Sequence, residues 1–285
     1  MSATAEPVVS ELISLLSLER LEDNLFRGQS RDIGTKYVFG GQVLGQALAA
    51  AQATVENGRQ AHSLHAYFLR AGNIDHPIVY DVDRTRDGGS FSVRRVTAIQ
   101  HGKVIFFCAA SFQEHEEGAE HQSAMPVVPP PEDIEPAAPL APDVLAKLPA
   151  KVQRWLSRGG PFEFRHVFPR DELRPPKRPP FQQMWLRLND PIGDDVGLHQ
   201  ALLAYASDFF SCWAPRHFRT ASAITRRTCR WPRSIMPCGS IVHSVPTTGC
   251  CTRSTAPPRR ARAVWLAGSF SPATACWWPA PRRKA

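Results

Sequence analysis

The sequence predicts an α+β fold in which an antiparallel sheet wraps around a central helix. Three observations carry that expectation. The stretch 38–55, VFGGQVLGQALAAAQATV, opens on a Gly-Gly pair and continues in good helix formers with small apolar side chains on nearly every side. A helix that is apolar all round is buried rather than laid on a surface. Strand-like stretches follow it at His62–Leu69, Ile78–Asp83, Phe91–Ile99 and Val104–Phe112. Finally, Gln46–Thr54 (QALAAAQAT) returns as Gln200–Asp208 (QALLAYASD) at a spacing of 154, so the helix-in-sheet unit is expected twice.

Taken in order, Glu11–Leu21 reads as an amphipathic helix, with Leu12, Leu15, Leu16 and Leu18 near one face. A loop, FRGQSRDIG, leads into Tyr37–Phe39 and the central helix. His62, Leu64, Ala66 and Phe68 then alternate with Ser63, His65 and Tyr67, the signature of a half-buried strand. Asp87-Gly88-Gly89-Ser90 is a hairpin turn by its chemistry, because glycine tolerates positive φ, and His101-Gly102 is the next. Four strands joined this way make an antiparallel meander. Residues 114–149 are rich in proline and acid, including PVVPPPEDIEPAAP, and are too long for an ordinary loop. Beyond them come strand-like Phe162–Val167 and Gln183–Leu188, then a helix over GLHQALLAYASDFF. The expected division is a first domain over 1–118, a linker over 119–160 and a second domain over 161–285.

A chain of 285 residues, 43% hydrophobic, has room for one large or two small cores. It contains no run of 18 apolar residues, so no membrane-spanning helix is expected. The start, MSATAEPVVSELISLL, has acids and no basic n-region, which argues against a secretory signal and for the cytoplasm. The net charge of +8 is unevenly spread. Residues 1–210 hold all 26 acids against 21 Lys and Arg, whereas residues 211–285 hold 13 basic residues and no acid. Globular domains carry both signs. The chain therefore changes character near Ser211, and that tail also takes six of the seven cysteines and five of the seven tryptophans.

Several residues invite a chemical reading, and most have a plainer one. Backbone N–H groups of Gly40 and Gly41 could meet a ligand or a developing oxyanion at a helix start, or the two glycines could serve close packing of helix and strand. His62 and His65 face opposite sides of one strand, which suits neither a metal pair nor a base. Cys108, in the apolar strand FFCAAS, reads as core. Arg94 and Arg95 could meet phosphates, but a solvated strand edge is the simpler expectation. The tail cysteines 212, 229, 238, 250, 251 and 276 form no C-x-x-C pair and no zinc spacing. A basic tail with tryptophans could bind nucleic acid by charge and stacking, yet only composition speaks for it, so no nucleic-acid partner is expected.

The segments LFRGQS (25–30), VFGGQVLGQAL (38–48), HSLHAYFLRAG (62–72), DGGSFSVRRVTAIQHGKVIFFCAASFQ (87–113) and LHQALLAYASDFF (198–210) resemble the acyl-CoA thioesterase II family, in family order, over about residues 18–210. The resemblance implies a double hotdog fold, hydrolysis of acyl-CoA to free acid and CoA without metal or cofactor, and a homo-oligomer. It also implies catalysis by an Asp, a Thr or Ser, and a Gln that orient and activate water. The family's Asp lies in a YASD-like motif, which places it at Asp208; without the resemblance, Asp208 would read as a helix-capping residue. The motifs that carry the Thr or Ser (IDH-x-MWFHR) and the Gln (AST-x-QEG) are missing, so a catalytically inactive relative is the alternative expectation.

The acid-free tail itself resembles the family's C-terminal part read out of frame. Take the third base of each codon with the first two of the next. Over Ser234–Ser244 that frame permits DHAMWFHRPF, with its Ala forced by the single Met codon and the CC of proline. Over Phe270–Ala285 it permits FTRDG-x-LVASTAQEG, with Leu-Val-Ala forced by the two tryptophans, and over Cys212–Ala223 it permits LLGTA followed by HGIS. One offset works in three places. The expectation is one missing base, or two extra, near the codons of Phe210–Ser211. The absent Thr or Ser would then fall across Pro232–Arg233, and the Gln across Arg282–Arg283.

Overall fold

The structure, a computed structural model, describes residues 8–56, 58–116, 127–136, 142–147, 150, 153, 157, 159–168, 182–211 and 266–270. The tail cysteines and the codon positions assigned to the missing Thr or Ser and Gln lie outside the described residues.

The central helix forms as expected. Helix α2 spans Gly40–Gln52 and buries ten of its residues, among them Leu44, Ala47, Leu48 and Ala51. Six strands surround it: β1 (Glu19–Glu22), β2 (Leu25–Gly28), β3 (Gln60–Phe68), β4 (Ile78–Asp87), β5 (Phe91–Gln100) and β6 (Lys103–Gln113). They form one antiparallel sheet in the order β1-β2-β4-β5-β6-β3. Its inner face presents Ile78, Tyr80, Val96, Ala98, Phe106, Cys108 and Phe112 to the helix, all at most 1% exposed. A side chain fully buried there, such as Leu44, contributes about 1.5–3 kcal/mol relative to leaving it in water.

Three expectations need correction. The first helix, α1, runs Val8–Leu16 rather than Glu11–Leu21. Ser17 N–H bonds back to Ile13 O, closing the helix, and residues 19–22 turn into β1, leaving Leu21 exposed. The segment read as a loop opens with β2, which pairs with both β1 and β4. The four later strands are not one meander either: β4-β5-β6 is, but β3 lies at the far edge against β6. Leu69–Pro77, the link from β3 to β4, is too long for a tight hairpin, and both Leu69 and Arg70 N–H bond to Ile105 O as the chain turns away. The two turns are present, but the positive φ expected of Gly88 or Gly89 is not used there; Gly88 N–H instead closes the turn onto Phe91 O. His101 and Gly102 both take positive φ (50° and 69°), the requirement of a type I′ hairpin.

A second, smaller sheet is built from β7 (Phe162–His166), β8 (Gln182–Leu188) and β9 (Leu266–Phe270), in that order and antiparallel. Helix α4 (Val196–Ser211) packs on it and on α2. Phe162, Met184, Leu186, Leu202 and Tyr205 make a second core, to which α1 adds Leu12, Leu15 and Leu16, and the start of α2 adds Phe39. The N-terminal helix thus seals the junction of the two sheets. Between them, the proline-rich stretch includes a 3₁₀ turn (Pro131–Asp133) and a short helix α3 (Pro142–Leu145). It is pinned to the second sheet: Trp185 Nε1 donates to Pro129 O at 3.0 Å, and Arg165 donates to the carbonyls of Pro131 and Ile134. Among the described residues, no helix is long and apolar enough to cross a membrane.

Candidate active site

Helices α2 and α4 run antiparallel, and small residues let them come close. A Cβ on Gly41 would overlap Tyr205 O and the Phe39 ring, and one on Gly45 would stand 3.0 Å from Ala201 O. The close packing weighed for Gly41 is therefore real, but the neighbour is helix α4 rather than a strand. This geometry brings the start of α2 against the last turns of α4, where Asp208 sits.

Asp208 is 8% exposed. Its Oδ2 accepts the backbone N–H of Gly41 at 3.0 Å. Gly41 N–H is thus engaged by the protein's own carboxylate rather than open to an oxyanion. Phe39 at the N-cap offers no side-chain acceptor, so Asp208 caps α2 from another helix. The electrostatics favour this. A carboxylate near the C-terminus of its own helix faces the negative end of that dipole, but the N-terminus of α2 presents the positive end of another. Aromatic rings enclose the spot: Phe39 packs edge-on to Tyr205 (5.2 Å) and beside Phe209 (4.6 Å). Burial is the main cause that pushes the Tyr205 phenol up to about 12; the charge of Arg31 opposes it and that of Asp208 adds to it. Tyr205 is a neutral hydroxyl at neutral pH.

The remaining candidates fall away from this spot. His62 does not point inward with Leu64 and Ala66. A register shift between Ala61 and Ser63 gives the inner position to Ala61, and His62 Nε2 lies 2.8 Å from Ser111 Oγ, its pKa lowered by burial. His65 is exposed. Cys108 is core as read, with its thiol pushed up to about 12 by burial. Arg95 is exposed as expected, but Arg94 is no solvated strand edge: it is 1% exposed and anchored inside the first unit. Among the described residues no cluster of His, Cys, Asp or Glu is arranged to hold a metal.

Two features of the site's surroundings escaped the sequence reading. One is the contact of Asp208 with the Gly40–Gly41 helix start; it was legible only by setting the two repeat copies antiparallel. The other is a buried polar network. Gln46 Nε2 donates to Leu15 O (2.7 Å) and Gln29 O (3.0 Å), and its Oε1 accepts from Tyr80 Oη at 2.7 Å. A glutamine in a run of alanines was the available signal.

With this geometry in view, comparison with known proteins is informative. Residues 28–113 match the family model described as acyl-CoA thioesterase N-terminal domain. Acyl-CoA thioesterase 2 of Haemophilus influenzae is 42% identical over 202 residues, covering 71% of each chain. The chain belongs to the acyl-CoA thioesterase II family. Human acyl-coenzyme A thioesterase 8 is 41% identical over 204 residues, 69% of this chain and 64% of that one, so the match leaves over a third of the human relative uncovered. The crystal structure of an acyl-CoA thioesterase II, TesB2 from Mycobacterium marinum, superposes with a TM-score of 0.56 at 42% identity, over 72% of this chain and 71% of that one. A hot dog fold protein from Alicyclobacillus acidocaldarius, at 23% identity and TM-score 0.55 over 70% and 69%, bears on the fold alone. The hotdog architecture, with a second unit shorter than the first among the described residues, follows.

Proposed function

We propose that the protein hydrolyses acyl-CoA thioesters to free fatty acid and CoA, with Asp208 activating the attacking water. Family membership supports the reaction class, and one observation supports the residue. Asp208 is a nearly buried carboxylate held at the positive end of a helix, between the two units. A carboxylate so placed can take a proton from water. The water oxygen then bonds to the thioester carbon, the C–S bond breaks, and the proton held by Asp208 passes to the departing thiolate. Metal and cofactor have no part in this scheme. The substrate is acyl-CoA, and homo-oligomeric assembly and a cytoplasmic location belong to the same reading. So does the division into units over 1–118 and 161–285 with a connector over 119–160, which the two separate sheets support.

A second reading, an inactive relative, is favoured by a specific fact: the sequence as written lacks the family's Thr or Ser and Gln motifs. Loss of partners from one catalytic unit is strongly non-additive, so Asp208 alone would give little rate. The frame-shift reading of residues 211–285 connects the two. The aligned lengths of 202 and 204 residues are close to the 210 that precede the tail. Resequencing the gene across codons 200–220 tests it, and a restored base returns both missing motifs.

The activity itself is tested by thiol release from acyl-CoA with the 285-residue chain and its Asp208→Asn variant. Turnover that falls at least about 100-fold in D208N is expected. Turnover that D208N retains would remove Asp208 from the mechanism, and no turnover in the unaltered chain would leave the inactive reading.

A further inference from the structure

Gly40 stands where helix α2 begins, one residue before the N–H that holds Asp208. A Cβ built on Gly40 would lie 2.7 Å from Asp208 Oδ2, and 3.0 and 3.1 Å from Phe68 Cε1 and Cζ. Its backbone is in no left-handed conformation, so conformational freedom does not explain the glycine. What the missing side chain supplies is room, and the carboxylate of Asp208 occupies it.

The repeat supplies an internal control. At the spacing of 154, Gly40, Gly41 and Asp208 correspond to Asp194, Asp195 and Thr54. At that opposite end of the helix pair, α4 is capped from its own segment: Leu198 N–H donates to Asp195 Oδ1 at 3.2 Å. Thr54 there donates to Ala51 O and accepts Arg94 Nε–H at 2.8 Å. Gln52 bridges the helices by donating to Gly197 O and Gln200 Oε1, both at 3.1 Å. Where a helix start brings its own acidic cap, the facing helix end carries no carboxylate. Where the start is Gly-Gly, the facing end carries Asp208.

From this pairing we infer that Gly40 is a positioning residue for Asp208. The first unit contributes a bare helix start whose space (Gly40) and N–H (Gly41) fix the second unit's carboxylate. The inference rests on the proposed role of Asp208 for its catalytic meaning, but its geometric content stands apart from activity. Any side chain at position 40 displaces the carboxylate from Gly41 N–H. The backbone has no objection, since Gly40 takes no left-handed φ that alanine would resist.

The test uses the full chain labelled with ¹⁵N-glycine, compared with Gly40→Ala, Asp208→Ala and, as control, Gly89→Ala, where a Cβ meets nothing within 4 Å. The Gly41 amide resonance moves in the same direction in G40A and D208A and stays in place in G89A. A Gly41 shift on G40A that is equally large in the D208A background, and so owed to the covalent neighbour alone, overturns the inference. Should G40A not fold, D208A carries the decision: an unmoved Gly41 signal in that variant overturns it equally. Hydrolysis supplies the second arm. G40A lowers kcat by about 10- to 100-fold with KM unchanged, since a misplacement near 1 Å costs up to about 100-fold. In the D208N background it costs nothing further, because both changes act through one carboxylate. Full additivity, or wild-type kcat in G40A, overturns the inference. A chain without turnover instead defeats the activity reading, and the resonance arm still decides the position of the carboxylate.

Discussion

Replacing Arg94 by Met tests how the first unit is held together. The guanidinium is 1% exposed and makes five hydrogen bonds. Nε donates to Thr54 Oγ1 (2.8 Å), Nη2 to Thr54 O (2.9 Å) and Asp87 Oδ1 (2.6 Å), and Nη1 to Arg86 O (3.0 Å) and Val93 O (3.1 Å). Together they tie the residue just past α2 to the β4–β5 hairpin. Methionine keeps most of the apolar stem and removes every donor. The Thr54 hydroxyl retains Ala51 O as a partner. Asp87 has a half-exposed side chain and can turn to water, so its share is small. The buried Thr54 carbonyl loses the Arg94 donor, a loss of about 1–3 kcal/mol. Freedom from burying a charge returns part of that. The net expectation is a destabilisation of about 2 kcal/mol, and about 4–8 °C in Tm at this size. Urea unfolding with an unchanged m-value measures it. A loss below about 0.5 kcal/mol would refute the view that this arginine is a structural tie, and would reopen a ligand role for it.

Two further outcomes follow from the same contacts. Tyr80→Phe removes the hydroxyl that donates to Gln46 Oε1 inside the core and costs about 1 kcal/mol, read by chemical denaturation; a neutral result would mean Gln46 finds its partner elsewhere. Asp87 has a pKa lowered chiefly by its hydrogen bond from Arg94. A depressed folded-state pKa contributes stability above the unfolded value, about 3.9, that is lost as pH falls through the folded one. The Tm gap between wild type and Asp87→Asn therefore narrows below about pH 4, and a gap constant down to about pH 2 would contradict the pairing.

What could be read in the sequence, and what could not, follows from how local the signal was. The buried helix α2 announced itself because a run of alanines, valine and leucines has no polar face. The hairpin at His101-Gly102 was legible because φ > 0 is a local demand. By contrast β1 and β2 are four residues each, too short for alternation to register. The strand order was hidden because β3 ends at Phe68 and its partner β6 begins only at Lys103, after two other strands. His62 was misplaced by a register shift that a strict period of two cannot foresee. Arg94 was misread because arginine is rarely buried, and its partners Thr54 and Asp87 come from two different elements.

The candidate site shows the same division more sharply. Nothing local distinguishes Asp208 from an ordinary residue of a helix end; only the resemblance singled it out. The structure adds that it is a cap, but for the other helix, and the base role proposed for it is compatible with that because a cap and a base both need an oriented carboxylate. The two sheets then bear on the tail. Strands β7 and β8 pair and precede helix α4 as β1 and β2 pair and precede α2, so the second unit follows the plan of the first up to its helix. Ile78 begins β4 26 positions beyond the end of α2 at Gln52, whereas Leu266 begins β9 55 positions beyond Ser211. At the repeat spacing of 154 the counterpart of Ile78, the start of β4, is residue 232, just before the stretch where the shifted frame permits DHAMWFHR. The sequence repeat runs through Asp208 and the acidic residues end there, which is what the proposed lost base would produce.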